Sequence, residues 1–220
     1  MNCNMKMMPT IYKYMRPFFK ERGFSYKRGS FYMIQNDIMF GVYFGRPSDS
    51  VYVHFYILPL YMKTDFHHIT YGDRIMYQYL VELPSLDGSY DEEGVAVWCS
   101  ILQKILRDDI FAFFEQISSP EKLLDCIDQN PETIDYYFFC ERYRVDKIRV
   151  YTCLYLHKYD RIAKGVERCL HQLEKTSFSS HIKESERQEL LQLERISMCG
   201  DDVVDEFFRQ VVKESISVCV

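Results

Sequence analysis

The sequence has no long uninterrupted apolar run. Its longest candidate, Val51 to Met62, contains His54 and Pro59, and it falls short of the ~20 residues that cross a bilayer. This argues against a membrane-spanning role. The first residues, MNCNMKMMPTIYKY, show neither an extended apolar core nor a small-residue cleavage site; the expectation is a chain without a secretory signal, residing in the cytoplasm. The nine glycines are scattered and form none of the phosphate-cradling or nucleophile-elbow patterns, which disfavours a nucleotide cofactor. Metal-ligand pairs at the usual two-to-four-residue spacing are also lacking, so no metal is expected. His67 and His68 are adjacent, and neighbours on one strand point to opposite faces. Excess positive charge is missing as well. The net charge is -5 and the pI about 5.7, which makes nucleic acid a poor candidate partner, because phosphate binding rests on surplus Lys and Arg.

What the chain does have is aromatic mass and cysteine. It carries 18 Tyr and 16 Phe beside a single Trp, and eight Cys. The cysteines, Cys3, Cys99, Cys126, Cys140, Cys153, Cys169, Cys199 and Cys219, are widely spread and mostly sit beside apolar residues of helix-like segments. They read as free thiols serving as small hydrophobes.

Two periodicities divide the chain. Thr10 to Arg22 has helical spacing of Ile11, Tyr12, Met15, Phe18 and Phe19, ended by Gly23, with Pro17 predicting a kink or two short turns. From Phe24 the pattern alternates. Phe24 to Lys27, Phe31 to Gln35, Ile38 to Phe44 and Val51 to Ile57 read as four strands. Arg28-Gly29, Asn36-Asp37 and the segment GRPSDS serve as turns. Connections this short require antiparallel neighbours. Arg74 to Glu82 alternates Ile75, Tyr77, Tyr79 and Val81 and reads as a fifth strand, with a helix as the other possibility. The loop Leu83 to Gly94 is the best boundary.

Beyond that loop the pattern is helical. Trp98 to Ile117 gives one long amphipathic helix. Ser119-Pro120-Glu121 and Asn130-Pro131-Glu132 are helix starts: a cap residue, a proline in the first turn, then an acid. Further helices are predicted over Val145 to His157, around Ile162 to Leu173, over Ile182 to Met198 and over Asp202 to Ser217. The fold expected is therefore α+β: an N-terminal helix, an antiparallel meander of four or five strands, and a helical C-terminal half. Residues 1–90 form the sheet region and 91–220 the helical region, packed on the sheet or separate from it.

Several groups of residues are candidates for chemistry. Cys153 and His157, four apart, read as a core thiol and a helix cap rather than a catalytic pair. Asp91-Glu92-Glu93 and Asp108-Asp109 read as solvated acids. Arg142, Arg144, Lys147 and Arg149, interleaved with Tyr143 and Tyr151, form a basic strip that suits single-stranded nucleic acid or an acidic protein surface, or else ion pairs within the fold. Tyrosines fall on both parities of the strands, among them Tyr43, Tyr52 and Tyr56. Tyrosine is enriched at protein interfaces, which makes these three candidate anchors for a partner.

Pro17-Phe18-Phe19-Lys20, then Gly23-Phe24, then Phe31-Tyr32 and the run of alternating strands resemble the uncharacterised bacterial domain of unknown function numbered 4304, over the first sixty residues. That family brings no catalytic residues to carry over. By analogy with small acidic proteins of this kind, the resemblance implies an immunity-type inhibitor of a bacterial toxin. The functional expectation is a non-enzymatic module that binds another protein. A hydrolase with a site assembled from scattered residues and a helical adaptor are the alternatives.

Overall fold

The computed structural model of the chain describes residues 7–45, 50–63, 79, 82–87, 89–138 and 142–219. Helix α1 spans Met7–Lys20 and buries Met7, Ile11, Met15, Phe18 and Phe19. Pro17 does not divide it; the ring sits on the exposed side, so only the missing backbone donor distinguishes that turn. Gly23 ends the helix with φ of +79°. Phe24 N–H bonds to Phe19 O at 3.1 Å and Gly23 N–H to Lys20 O at 3.1 Å, closing the helix as a left-handed glycine cap.

Strands β1 (Ser25–Lys27), β2 (Ser30–Gln35), β3 (Ile38–Gly45), β4 (Ser50–Pro59) and β5 (Leu86–Asp87) form one sheet in the order β1-β2-β3-β4-β5. The edge strands pair antiparallel, with Tyr26 opposite Phe31 and Val51 opposite Leu86. Both expected hairpin turns carry positive φ at both central residues: Arg28 at +47° and Gly29 at +88°, Asn36 at +49° and Asp37 at +57°. That conformation matches the twist of the strands they join. Among the described residues the fifth strand lies at Leu86–Asp87, while the expected strand Arg74 to Glu82 falls mostly outside them. Of the latter segment only Tyr79 and Glu82 are among the described residues, both in turns, and the GRPSDS turn also falls largely outside them.

Asp91 caps α2 (Glu92–Ile105), its side chain accepting from Gly94 N–H at 2.8 Å. A π-helical turn (Leu106–Ile110) follows and runs into α3 (Phe111–Gln116), so the single long helix expected here is interrupted in its middle. Ser119 caps α4 (Pro120–Gln129) through Lys122 N–H. Then come α5 (Pro131–Phe138), α6 (Arg142–Tyr155), a 3-10 turn (Tyr159–Arg161), α7 (Ile162–Glu174), α8 (Ser180–Ser197) and α9 (Asp201–Cys219). The architecture is α+β as expected.

The chain divides into two compact units, and the division is not at the 83–94 loop. The first unit holds the described residues 7–35, 39–57 and 79–116; the second holds 36–38, 58–63 and those from 117 onward. The reason is aromatic packing: α2 lies against α1, and the rings of α3 pack on the sheet. In the first unit Phe19 stacks on Phe31 at 4.2 Å between centroids, and Phe114 meets Phe40 at 5.0 Å and Phe55 at 6.3 Å. Phe44, Val51 and Val53 complete this core.

The second unit is organised around α6, whose neighbours are α4, α7, α8 and α9. Ten of its residues are buried, Asp146, Lys147 and Thr152 among them. At Gly165 of α7 an added Cβ would lie 2.9 Å from a methyl of Val150, so this glycine sets how closely α7 approaches α6. Tyr61 stacks on Tyr155 at 4.4 Å. Its hydroxyl lies 3.0 Å from that of Thr152, which donates to Ile148 O at 2.7 Å.

Candidate functional site

The basic strip expected on 142–149 is in large part consumed by pairing within the fold, and Arg142 alone of the four is exposed. Arg142 pairs with Asp135 at 2.5 Å. Lys147, 7% exposed, lies 2.6 Å from Glu186 and 3.0 Å from Glu189 of α8. Arg149 bonds to Asp128 at 2.9 Å and also to Asp146. Arg144 is half-buried and its charge helps hold the Glu186 carboxyl down. The intervening tyrosines join the same network. The Tyr143 hydroxyl donates to Glu186 and that of Tyr151 to Glu189, each at 2.5 Å. Tyr143, Lys147 and Tyr151 recur every four residues on one helix face, and that face meets the acids of α8. Lys147 and Arg149 are therefore internal wiring, and Arg142 is a surface pair.

The sheet tyrosines are also more enclosed than anchors would be. Tyr56 is 4% exposed. Its hydroxyl sits 2.7 Å from that of Ser30, and its ring crosses Gly41, where a Cβ would come within 2.2 Å of it. Tyr52 crosses Gly45 in the same way, at 2.1 Å. Tyr43 and Tyr52 are half-buried, their rings 6.0 Å apart. Burial and the neighbouring Tyr52 push the Tyr43 hydroxyl pKa up.

Cys153 is buried, and its thiol is pushed up by burial. His157, at φ of +55°, terminates α6: Lys158 N–H bonds to Cys153 O at 2.8 Å. Its ring lies 2.9 Å from Asp205 and 3.4 Å from Asp201 at the start of α9. The pair is thus core and cap. Among the described residues no cluster of three or more His, Cys, Asp and Glu is placed to hold a metal ion, and no helix is long and apolar enough to cross a membrane.

The arrangement best suited to recognition lies elsewhere, in a cleft of about 370 Å³ in the first unit. Its lining comes from the end of α1, from β2 and β3, and from the helical segment after the π turn. The rings of Phe24, Phe40, Phe111 and Phe114 and the side chain of Met33 form an apolar floor. These rings support one another: Phe24 stacks on Phe111 at 5.3 Å, and Phe111 lies 6.0 Å from Phe114.

Two guanidinium groups stand at its rim. Arg22 donates to Phe18 O at 2.8 Å, which ties it to the last turn of α1. Its guanidinium carbon rests 4.0 Å from the Phe18 ring centre and 6.0 Å from that of Phe111. Arg107 projects from the π turn to 6.0 Å from the same Phe18 ring. π turns redirect the side chains they carry and recur at functional sites. Arg22 has one acidic neighbour, Glu21 at 3.9 Å. Among the described residues Arg107 has no carboxylate partner. Glu115 contributes the cleft's single acid.

Sequence reasoning passed over this site. One signal was present: residues 1–35 contain seven Lys and Arg and a single acid, Glu21. The net charge of the whole chain conceals that local excess. The rest was not readable. Leu102, Leu106, Ile110, Phe113 and Ile117 keep nearly helical spacing with or without a π turn, so periodicity does not reveal it. No family model, no curated protein and no solved structure matches this chain.

Proposed function

We propose that this chain is a non-enzymatic, cytoplasmic protein-binding module, and that it engages its partner through the cleft of the first unit. One observation carries the reading: a cleft floored by the half-buried Phe111 and Met33, with the buried rings of Phe24, Phe40 and Phe114 behind them, lies beside two arginines, one of which has no acid to pair with among the described residues. Aromatic side chains and arginine dominate the energetics of protein interfaces, because they combine large apolar area with fixed hydrogen-bonding geometry. The volume lies near the lower limit of small-molecule pockets, the size of one or two side chains of a partner. The order of helix, Gly-Phe turn and meander in this unit is compatible with the resemblance to the uncharacterised bacterial domain, whose members lack assigned catalytic residues.

The test is site-specific photo-crosslinking in the native host. Ala112 lines the cleft and is exposed; a photoreactive phenylalanine there should yield one dominant covalent protein partner. The same residue at Met198, an exposed position of the second unit, should not. Equal labelling from both positions, or none from Ala112, overturns the proposal.

A further inference from the structure

We infer that the occupant of the cleft is a segment of the partner protein that presents a large apolar side chain with carboxylates beside it. This rests on the binding reading above and specifies its chemistry. The floor, Phe111 and Met33 backed by the buried rings of Phe24, Phe40 and Phe114, is mostly carbon with Gln35 at its side, so it favours an apolar part of the ligand. The rim asks for the opposite. Arg22 and Arg107 both lie within 6.0 Å of the Phe18 ring centre, and they face one carboxylate in the lining, Glu115. Arg22 rests on the Phe18 ring at 4.0 Å with one N–H spent on Phe18 O, and the exposed Arg107 reaches the same ring at 6.0 Å. A fixed planar fork suits bidentate capture of a carboxylate.

The stretch of chain that ends α1 and begins the sheet carries charge of the same sign: residues 1–35 hold a large excess of Lys and Arg, and Lys20 and Arg28 are exposed. A basic field of this kind raises the rate of encounter with acidic segments and weakens with salt. Peptides that combine an apolar anchor with acids satisfy floor and rim together. Single-stranded nucleic acid would satisfy the rim but leave most of a four-ring recess to bases alone, and an anionic membrane surface is flat where this site is concave.

The experiment uses the full chain and random dodecapeptides displayed on phage, followed by fluorescein-labelled synthetic copies of the selected sequences. The expected selection is enriched in Asp and Glu next to Leu, Phe or Trp. Affinity should fall at least tenfold in Arg107→Glu and at least threefold in Arg107→Ala, while Arg107→Lys retains part of it and the melting temperature stays within ~2 °C of wild type. Phe111→Ser should remove binding through the floor. Raising salt from 50 to 500 mM should weaken binding severalfold. Selection of neutral or basic peptides, or equal affinity in Arg107→Glu, overturns the inference while leaving a crosslinked partner, and hence the binding reading, in place. Failure to select any peptide overturns it too. A fluorescein-labelled oligothymidylate and vesicles containing phosphatidylserine are run in parallel; Arg107-dependent binding to either without peptide binding replaces the acidic segment as occupant.

Discussion

Replacing Lys147 by methionine tests the internal wiring of the second unit most directly. Lys147 is enclosed and lies within 3.0 Å of both Glu186 and Glu189. Methionine keeps most of the stem's volume but removes the cation that bridges the two carboxylates. Removing one partner of a buried ion pair costs about 3–5 kcal/mol. Here the glutamate side chains keep 24% and 21% of their exposure, and partial hydration lowers the expected loss to about 2–3 kcal/mol. In a chain of this length that corresponds to a drop in melting temperature of roughly 5–10 °C.

The pH dependence has a definite sign. Burial by itself raises the Glu186 pKa, but the charge of Lys147 and hydrogen bonds from Lys147 and Tyr143 outweigh it, and the carboxyl is held below its ordinary value. A depressed folded pKa contributes stability that is present above the unfolded pKa of about 4.3 and is lost as pH falls through the folded value. In Lys147→Met the burial effect is no longer opposed by the lysine, and protonating Glu186 relieves the variant. The gap between wild type and variant should therefore be widest at pH 7 and close below about pH 4. Urea unfolding at pH 7 and pH 3.5 measures it. Adding Glu186→Gln and Glu189→Gln to Lys147→Met should recover at least half the loss at pH 7. A single variant that loses under 0.5 kcal/mol, or the same amount at both pH values, refutes the reasoning.

Two further outcomes follow from packing and burial. Gly41→Ala places a methyl 2.2 Å from the Tyr56 ring and should destabilise by about 1–3 kcal/mol in urea unfolding; in a double-mutant cycle Tyr56→Ala should relieve part of that loss, and strict additivity would place the strain elsewhere. Among the described thiols, Cys99, Cys126, Cys153 and Cys169 are buried and free and Cys199 is exposed, with burial raising Cys99 and Cys169 to about 12. Brief alkylation of the native protein, read by peptide mass spectrometry, should modify Cys199 well ahead of those four, and all five should react in denaturant without reductant.

Local chemistry was legible wherever one residue's backbone preference or a run of neighbours decides the outcome. Gly23, Arg28-Gly29 and Asn36-Asp37 marked their turns because left-handed backbone favours glycine and asparagine. Ser119-Pro120-Glu121 marked a helix start because a cap, a proline and an acid each act within one turn. Alternation fixed the faces of β3 and β4, since side chains on a strand reverse at every residue. None of these signals reaches across the chain. The burial of α6 on all sides could not be read from Arg142, Arg144, Lys147 and Arg149, because their partners Asp128, Glu186 and Glu189 are distant in sequence and only packing brings them near. The cleft has the same origin: Arg22 follows one helix, Phe40 sits in a strand, Arg107 belongs to a π turn and Phe111 follows it. By itself the sequence determined the order and type of most elements, because helix caps, turns and periodicity act over a few residues. The tertiary structure decided which charges are consumed inside the fold and which remain at a surface, because pairing and desolvation depend on neighbours that only the folded chain supplies.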